Sequence, residues 1–180
     1  MKKVLILIFA FIALQAGAQF SKATLQASGL TCAMCSNAIN KALQGIPFVA
    51  SVKSDIKNSS FNISFKESAN VNIDALKKAV EDAGFSVAKL NLTGNFDHVQ
   101  VKNDQHVVIN GNVYHFLKVN DQMLTGERTL TVVDKNFLTP KEFKKYAGLT
   151  QMSCLQTGKA ASCCIKDGIT ANTRIYHVTI

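Results

Sequence analysis

Tryptophan is absent from this chain, and proline occurs only twice in 180 residues. No nucleophile elbow, phosphate loop or carboxylate cluster is present, so nothing points to hydrolysis or phosphoryl transfer, and the chain reads as a binding protein and not an enzyme. Beyond the first fourteen residues no apolar run approaches the ~20 residues that a membrane helix needs. Basic residues outnumber acidic ones, 20 to 12. No aromatic-basic interleaving accompanies that excess, so it does not identify a nucleic-acid partner. The lysines at 77–78, 141 and 144–145 fall on predicted helices and read as solvated faces.

The amino terminus has the pattern of an address. Lys2 and Lys3 precede the apolar run Val4 to Leu14, and Ala16-Gly17-Ala18 offers small residues for cleavage. Residues 1–19 therefore read as a secretory signal peptide. The run is too short for a membrane anchor. The mature protein is expected to be exported, periplasmic or extracellular, with no membrane span and a formal charge of +6 in place of +8 once Lys2 and Lys3 are gone.

All five cysteines lie in the exported part, where disulfides are permitted. Five is odd, so at least one thiol stays outside an intramolecular bridge. Cys32 and Cys35 form a pair three positions apart. Leu25, Ala27 and Gly29 alternate with Thr24, Gln26 and Ser28 ahead of it, as in a half-buried strand. Ala38, Ile39, Ala42 and Leu43 follow with helical spacing. Cys32 thus falls in a loop and Cys35 in a first helical turn, where unpaired N–H groups and the helix dipole favour thiolate. Such a pair suits a soft, low-coordinate cation such as Cu(I). It also suits a reversible disulfide, a structural disulfide or a thioredoxin-type motif. The last is weakened because no Trp precedes the pair and no Pro lies within it. A structural zinc site prefers four ligands, and residues 20–92 hold no second Cys or His pair.

Further elements follow in order. Helix one ends at Gly45 with Pro47 beyond, strands cover about 49–56 and 61–65, and Asn72 caps a helix carrying Ile73, Leu76 and Val80. Gly84 closes that helix, and 85–92 reads as a fourth strand. The order βαββαβ over residues 20–92 predicts a ferredoxin-like sandwich.

The stretch Gly29-Leu30-Thr31-Cys32-Ala33-Met34-Cys35 resembles the metal loop of heavy-metal-associated domains, the family of copper chaperones and copper-ATPase amino-terminal modules. Their loop usually reads Gly-Met-Thr-Cys-x-x-Cys. Glu81-Asp82-Ala83-Gly84-Phe85 resembles the family's second signature, with Phe85 at the aromatic position beside the loop. A signal peptide ahead of such a domain is also similar to the periplasmic mercury-binding protein. The resemblance implies metal binding by Cys32 and Cys35. Leu30 replaces the usual Met, a side chain that points into the core in the family; the swap conserves volume and leaves binding intact. Met34 could assist Cu(I) as a thioether, but reads as an exposed residue.

Residues 95–180 read as a second, strand-rich domain after a linker beginning at Gly94-Asn95. Strands are expected near 96–101, 106–109, 113–119, 128–134 and 174–180, with Asn110-Gly111 as a hairpin turn and Thr139-Pro140-Lys141-Glu142 as a capping box. The expectation is a small, mostly antiparallel barrel or roll, OB-like in outline. Cys154, Cys163 and Cys164 sit in a long loop with Met152. A disulfide from Cys154 to Cys163 or Cys164 is expected, closing a loop of ~10–15 residues and contributing roughly 3 kcal/mol. A second metal site is the alternative. His98, His106, His115 and His177 read as surface or packing residues rather than ligands.

The fold class expected is therefore α+β, a ferredoxin-like sandwich followed by a β-rich domain. The function expected is binding of a soft metal outside the cytoplasm and its transfer or sequestration by Cys32 and Cys35. Cu(I) fits best, with Hg(II), Ag(I) or Zn(II) as other occupants, and a copper-transporting ATPase or another metal-accepting protein as partner. The competing expectation is an extracytoplasmic thiol-disulfide oxidoreductase.

Overall fold

Alternation ahead of the cysteine pair becomes strand β1 (Ala18–Ser28), in which Ala23, Leu25 and Ala27 are buried while Lys22, Thr24 and Gln26 face solvent. The computed structural model describes residues 17–30 and 32–180. The expected signal peptide lies outside the described residues apart from its last positions, and Thr31 also lies outside them. Helix α1 (Ala33–Gln44) buries Ser36, Ile39 and Leu43; of the face its spacing predicts, Ile39 and Leu43 are buried, Ala42 is half-buried and Ala38 faces solvent. Strands β2 (Val49–Asp55) and β3 (Ser60–Phe65) follow, and β3 alternates cleanly, burying Phe61, Ile63 and Phe65. Helix α2 (Ile73–Asp82) starts at Asn72, whose side chain accepts from the Ala75 N–H, and Gly84 then turns the chain at φ +87°. Strand β4 (Ser86–Val101) completes the βαββαβ order. The local sheet order β2-β3-β1-β4, all antiparallel and packed against α1 and α2, is the ferredoxin-like one.

The second half does not begin with a linker. Gly94 and Asn95 lie inside β4, which runs for 16 residues and pairs with β1 on one side and β7 (Gln122–Val132) on the other. The glycine is required by close approach, not by a turn. A Cβ at Gly94 would stand 2.6 Å from the Gln19 carbonyl oxygen and 2.9 Å from Phe20 Cα, both backbone atoms of β1. The strand does swerve, at the register shift between Phe96 and Val99, where His98 adopts φ +50°.

Strands β5 (Gln105–Ile109), β6 (Asn112–Phe116) and β8 (Ile175–Thr179) complete the second half. Asn110 and Gly111, at φ +49° and +76°, make the expected two-residue hairpin turn between β5 and β6. This half is strand-rich as expected, but its strands extend the first sheet instead of closing a barrel or roll of their own. The result is one eight-stranded sheet, β2-β3-β1-β4-β7-β8-β6-β5. It is mixed, because β6 and β8 pair in parallel. One buried core runs from Leu25 and Phe61 through Leu90 and Leu92 to Leu130 and Val178. Each such side chain contributes about 1.5–3 kcal/mol by leaving water. Three short helical turns, α3 (Pro140–Phe143), α4 (Cys154–Thr157) and α5 (Ser162–Ile165), cover the second half. No helix among the described residues is long and apolar enough to cross a membrane.

Candidate metal centre

The strand β1 delivers the chain to Gly29, which turns at φ +82° with Phe85 beside it; a Cβ there would lie 3.9 Å from the Phe85 ring. Leu30 is half-buried against the core, the place the family resemblance gives to that side chain. Cys32 is the N-cap of α1, with extended backbone at φ −150° and ψ 159°. Its Sγ accepts a hydrogen bond from the Cys35 backbone N–H at 3.3 Å, a role usually held by Ser, Thr, Asp or Asn oxygens. The first turn of α1 carries no acidic side chain to offset the positive end of the helix.

These contacts favour the thiolate. The Cys35 side chain, followed by the Cys35 backbone N–H, hydrogen-bonds the Cys32 sulfur and lowers its pKa below that of an ordinary thiol. Cys32 is exposed and Cys35 half-buried, and both are free thiols. Two sulfurs brought together at the surface, one already polarised toward thiolate, can hold a soft ion in low coordination. A hollow of about 230 Å³ flanks Cys32, lined in part by Ser36, Ile56 and Ser59. Met34 stands 83% exposed and Ile56 63% exposed, so the pair has an apolar rim.

The other sulfurs depart from expectation. Cys154, Cys163 and Cys164 are also free thiols, so the expected bridge from Cys154 is absent. Cys154 and Cys164 pack in a small apolar cluster with Val113, Ile169 and Ile175, which shields them. The four histidines divide between the surface and the interior. His98 is exposed beside Asp97, as a surface residue should be. The side chains of His115 and His177 are fully buried and that of His106 nearly so, all three against Cys154. A signal for two of them was legible: His106 and His115 are placed symmetrically about the Asn110-Gly111 turn, so the hairpin makes them cross-strand partners.

Residues 24–86 match the heavy-metal-associated domain family. The chain is similar to the copper chaperone CopZ of Staphylococcus aureus, at 30% identity over 67 residues, 37% of this chain and 97% of that protein. It is also similar to the probable copper-transporting ATPase HMA5 of Arabidopsis thaliana, at 28% identity over 75 residues. That match takes in 42% of this chain but spans 7% of the ATPase's length. Among solved structures, a CopZ metallochaperone aligns with 29% identity and a TM-score of 0.35, over 38% of this chain and 100% of the other.

Proposed function

Because this chain belongs to the heavy-metal-associated domain family, we propose that it binds Cu(I) outside the cytoplasm through Cys32 and Cys35 and passes it to, or takes it from, a second metal-binding protein. Metal binding and transfer follow from the family. The metal, the compartment and the two ligands are our reading. The observation that carries it is the position of Cys32 Sγ at the exposed start of α1, with the Cys35 N–H directed at it and the Cys35 thiol three positions along the same turn.

Binding replaces the thiol protons. Cys32 and Cys35 lose theirs to solvent, and the two thiolates neutralise and hold the ion. The loop lies at the surface, so a thiolate from a partner can add to the ion before Cys32 or Cys35 leaves, and no bare ion is released. Exposed Met34 and Ile56 give that partner an apolar surface beside the sulfurs. A copper-transporting ATPase is the partner we favour, and the amino-terminal address argues for an exported protein.

The test is competition for Cu(I) against a chromophoric chelator, using the reduced chain and its Cys32→Ser, Cys35→Ser double variant. The intact chain should withhold copper that the double variant yields. Equal retention by both would remove these residues as ligands. Catalysis of disulfide exchange on a reduced test protein at oxidoreductase-like rates would favour the enzymatic alternative.

A further inference from the structure

The sheet lines up three imidazoles in one row. His106 on β5 pairs in register with His115 on β6, and His115 pairs in register with His177 on β8. Directly paired residues share a sheet face. The helical turn α4 lays Cys154 over that face. Its Sγ lies 3.4 Å from His177 Nε2, 3.7 Å from His115 Nδ1 and 3.9 Å from His106 Nε2.

Each imidazole is held from behind by a carboxylate. His177 Nδ1 meets Asp134 Oδ1 at 2.6 Å, His106 Nδ1 meets Asp167 Oδ2 at 2.7 Å, and His115 Nε2 meets Asp104 Oδ1 at 2.9 Å. An ionised carboxylate only accepts, so each ring places its N–H there and turns a bare nitrogen lone pair toward the sulfur. A thiol has one proton to offer three lone pairs. Hydrogen bonding within the protein therefore leaves at least two buried acceptors facing sulfur without a donor, a costly arrangement.

We infer that His106, His115, His177 and Cys154 form a second, buried metal site, of the closed imidazole-thiolate type that takes Zn(II). The nitrogen-to-sulfur distances fit that ion. Tetrahedral bonds to Zn of about 2.3 Å from sulfur and about 2.05 Å from nitrogen put each nitrogen ~3.6 Å from the sulfur. The three observed separations, 3.4, 3.7 and 3.9 Å, bracket that value. The ligand atoms of His106, His115 and Cys154 lie within 4.8 Å of one another; His177 stands outside that grouping, reaches the same sulfur at 3.4 Å, and closes on the ion only as it binds. The carboxylate behind each histidine is the arrangement that fixes tautomer and ring orientation in metal sites. Loading releases the Cys154 thiol proton to solvent and leaves the imidazoles neutral. Half-buried Cys163, with Cys164 3.5 Å from it and both near Cys154, gives the ion a sulfur-lined entry. Three imidazoles and one thiolate are harder than two thiolates, so the two sites sort metals between them. This inference does not rest on the Cys32–Cys35 assignment.

The test uses the full reduced chain carrying Cys32→Ser and Cys35→Ser, so that the surface loop contributes nothing. It should retain a single equivalent of Zn(II) against a chromophoric chelator. Co(II) in its place should give the intense visible bands of tetrahedral cobalt with a sulfur-to-metal band in the near ultraviolet. Cys154→Ser should abolish the sulfur band. Asp104→Asn, at a partly exposed position, should weaken Zn(II) binding by roughly 10–100-fold while leaving the far-ultraviolet dichroism and the melting of the metal-free protein unchanged. A folded chain that retains no Zn(II) and gives no tetrahedral cobalt spectrum overturns the site. So does a sulfur band that survives Cys154→Ser, or stoichiometric Cu(I) binding there in preference to Zn(II).

Discussion

Arg174 forks onto Asp74 across the two halves of the chain, Nε to Oδ2 at 2.9 Å and Nη2 to Oδ1 at 3.1 Å. Asp74 belongs to the first turn of α2, and Arg174 directly precedes β8. The same guanidinium donates to Asp134 Oδ2 at 2.7 Å, and the other oxygen of Asp134 meets His177. Tyr176 stacks on the guanidinium, 4.2 Å from its centre, and donates its hydroxyl to Asp74. A continuous polar chain therefore links α2 of the metal-loop half to the histidine row. Bidentate pairing of this kind is among the stronger side-chain contacts.

Asp74→Asn should therefore destabilise the protein by about 1–2 kcal/mol, because a neutral amide cannot accept the fork as a carboxylate does. Arg174 keeps Asp134, so the fold should survive. Urea unfolding at neutral pH measures the loss; an unchanged midpoint would show that the fork is decorative.

Acid should reproduce that substitution. Burial pushes the Asp74 carboxyl up, but the hydrogen bonds and charge of Arg174, with Tyr176 and Lys77, outweigh it and hold the group below the usual carboxylate range. The folded chain then binds the proton less readily than the unfolded chain. The Asp74 contribution is complete above the ordinary value near pH 4 and is lost as pH falls through the folded one. The stability gap between the native protein and Asp74→Asn should accordingly shrink below about pH 4. Urea midpoints for both at pH 7 and pH 3 decide it, and a constant gap would contradict it.

Gly94→Ala should be damaging although the change is one methyl group. The added Cβ meets only β1 backbone, at 2.6 to 3.0 Å, and backbone cannot swing aside. Two paired strands must part, at a cost of about 1–3 kcal/mol. Gly148→Ala, where nothing lies within 4 Å of the added atom, is the control and should stay within about 0.5 kcal/mol. Thermal melting of the two variants side by side tests the pair.

Thiol reactivity should follow burial and charge. In native metal-free protein, Cys32 should be alkylated first, since it is exposed and its pKa is lowered. Cys154 and Cys164, both buried, should react only on unfolding. Burial also pushes the Cys154 thiol well up, away from thiolate. Timed alkylation with peptide mass mapping ranks the five sites. Recovery of a Cys154–Cys163 or Cys154–Cys164 disulfide from protein purified without reductant would contradict the free-thiol state.

The first half was legible because its signals are local. A capping Asn72, a stop at Gly84, the period of Phe61, Ile63 and Phe65, and the cysteine spacing each act within a few residues. Gly94 misled because a glycine between two apolar runs has the same composition in a linker and in a strand pressed against its neighbour. The fault lay one strand away, in the backbone of Gln19 and Phe20. Likewise, His177 joins His115 only through a parallel pairing of strands some sixty residues apart. Nothing near either residue announces that pairing, and so the buried sulfur-imidazole cluster escaped a reading that worked from neighbours.

The length of β4 limits how this protein can be divided. The family match ends at residue 86, at the start of β4, which runs on to Val101 and pairs with β7 from Leu90 onward. A fragment cut at residue 92 would leave the β4 backbone at Leu90 to Leu92 without the β7 partners, Leu130 to Val132, that it holds in the full chain. It would also strip cover from the buried Leu90 and Leu92. Such a bare, apolar strand edge is a template for self-association. The metal loop occupies a small part of the chain but shares its sheet with the second half, so a piece cut at residue 92 should self-associate where the full chain does not, as sizing chromatography of the two would show.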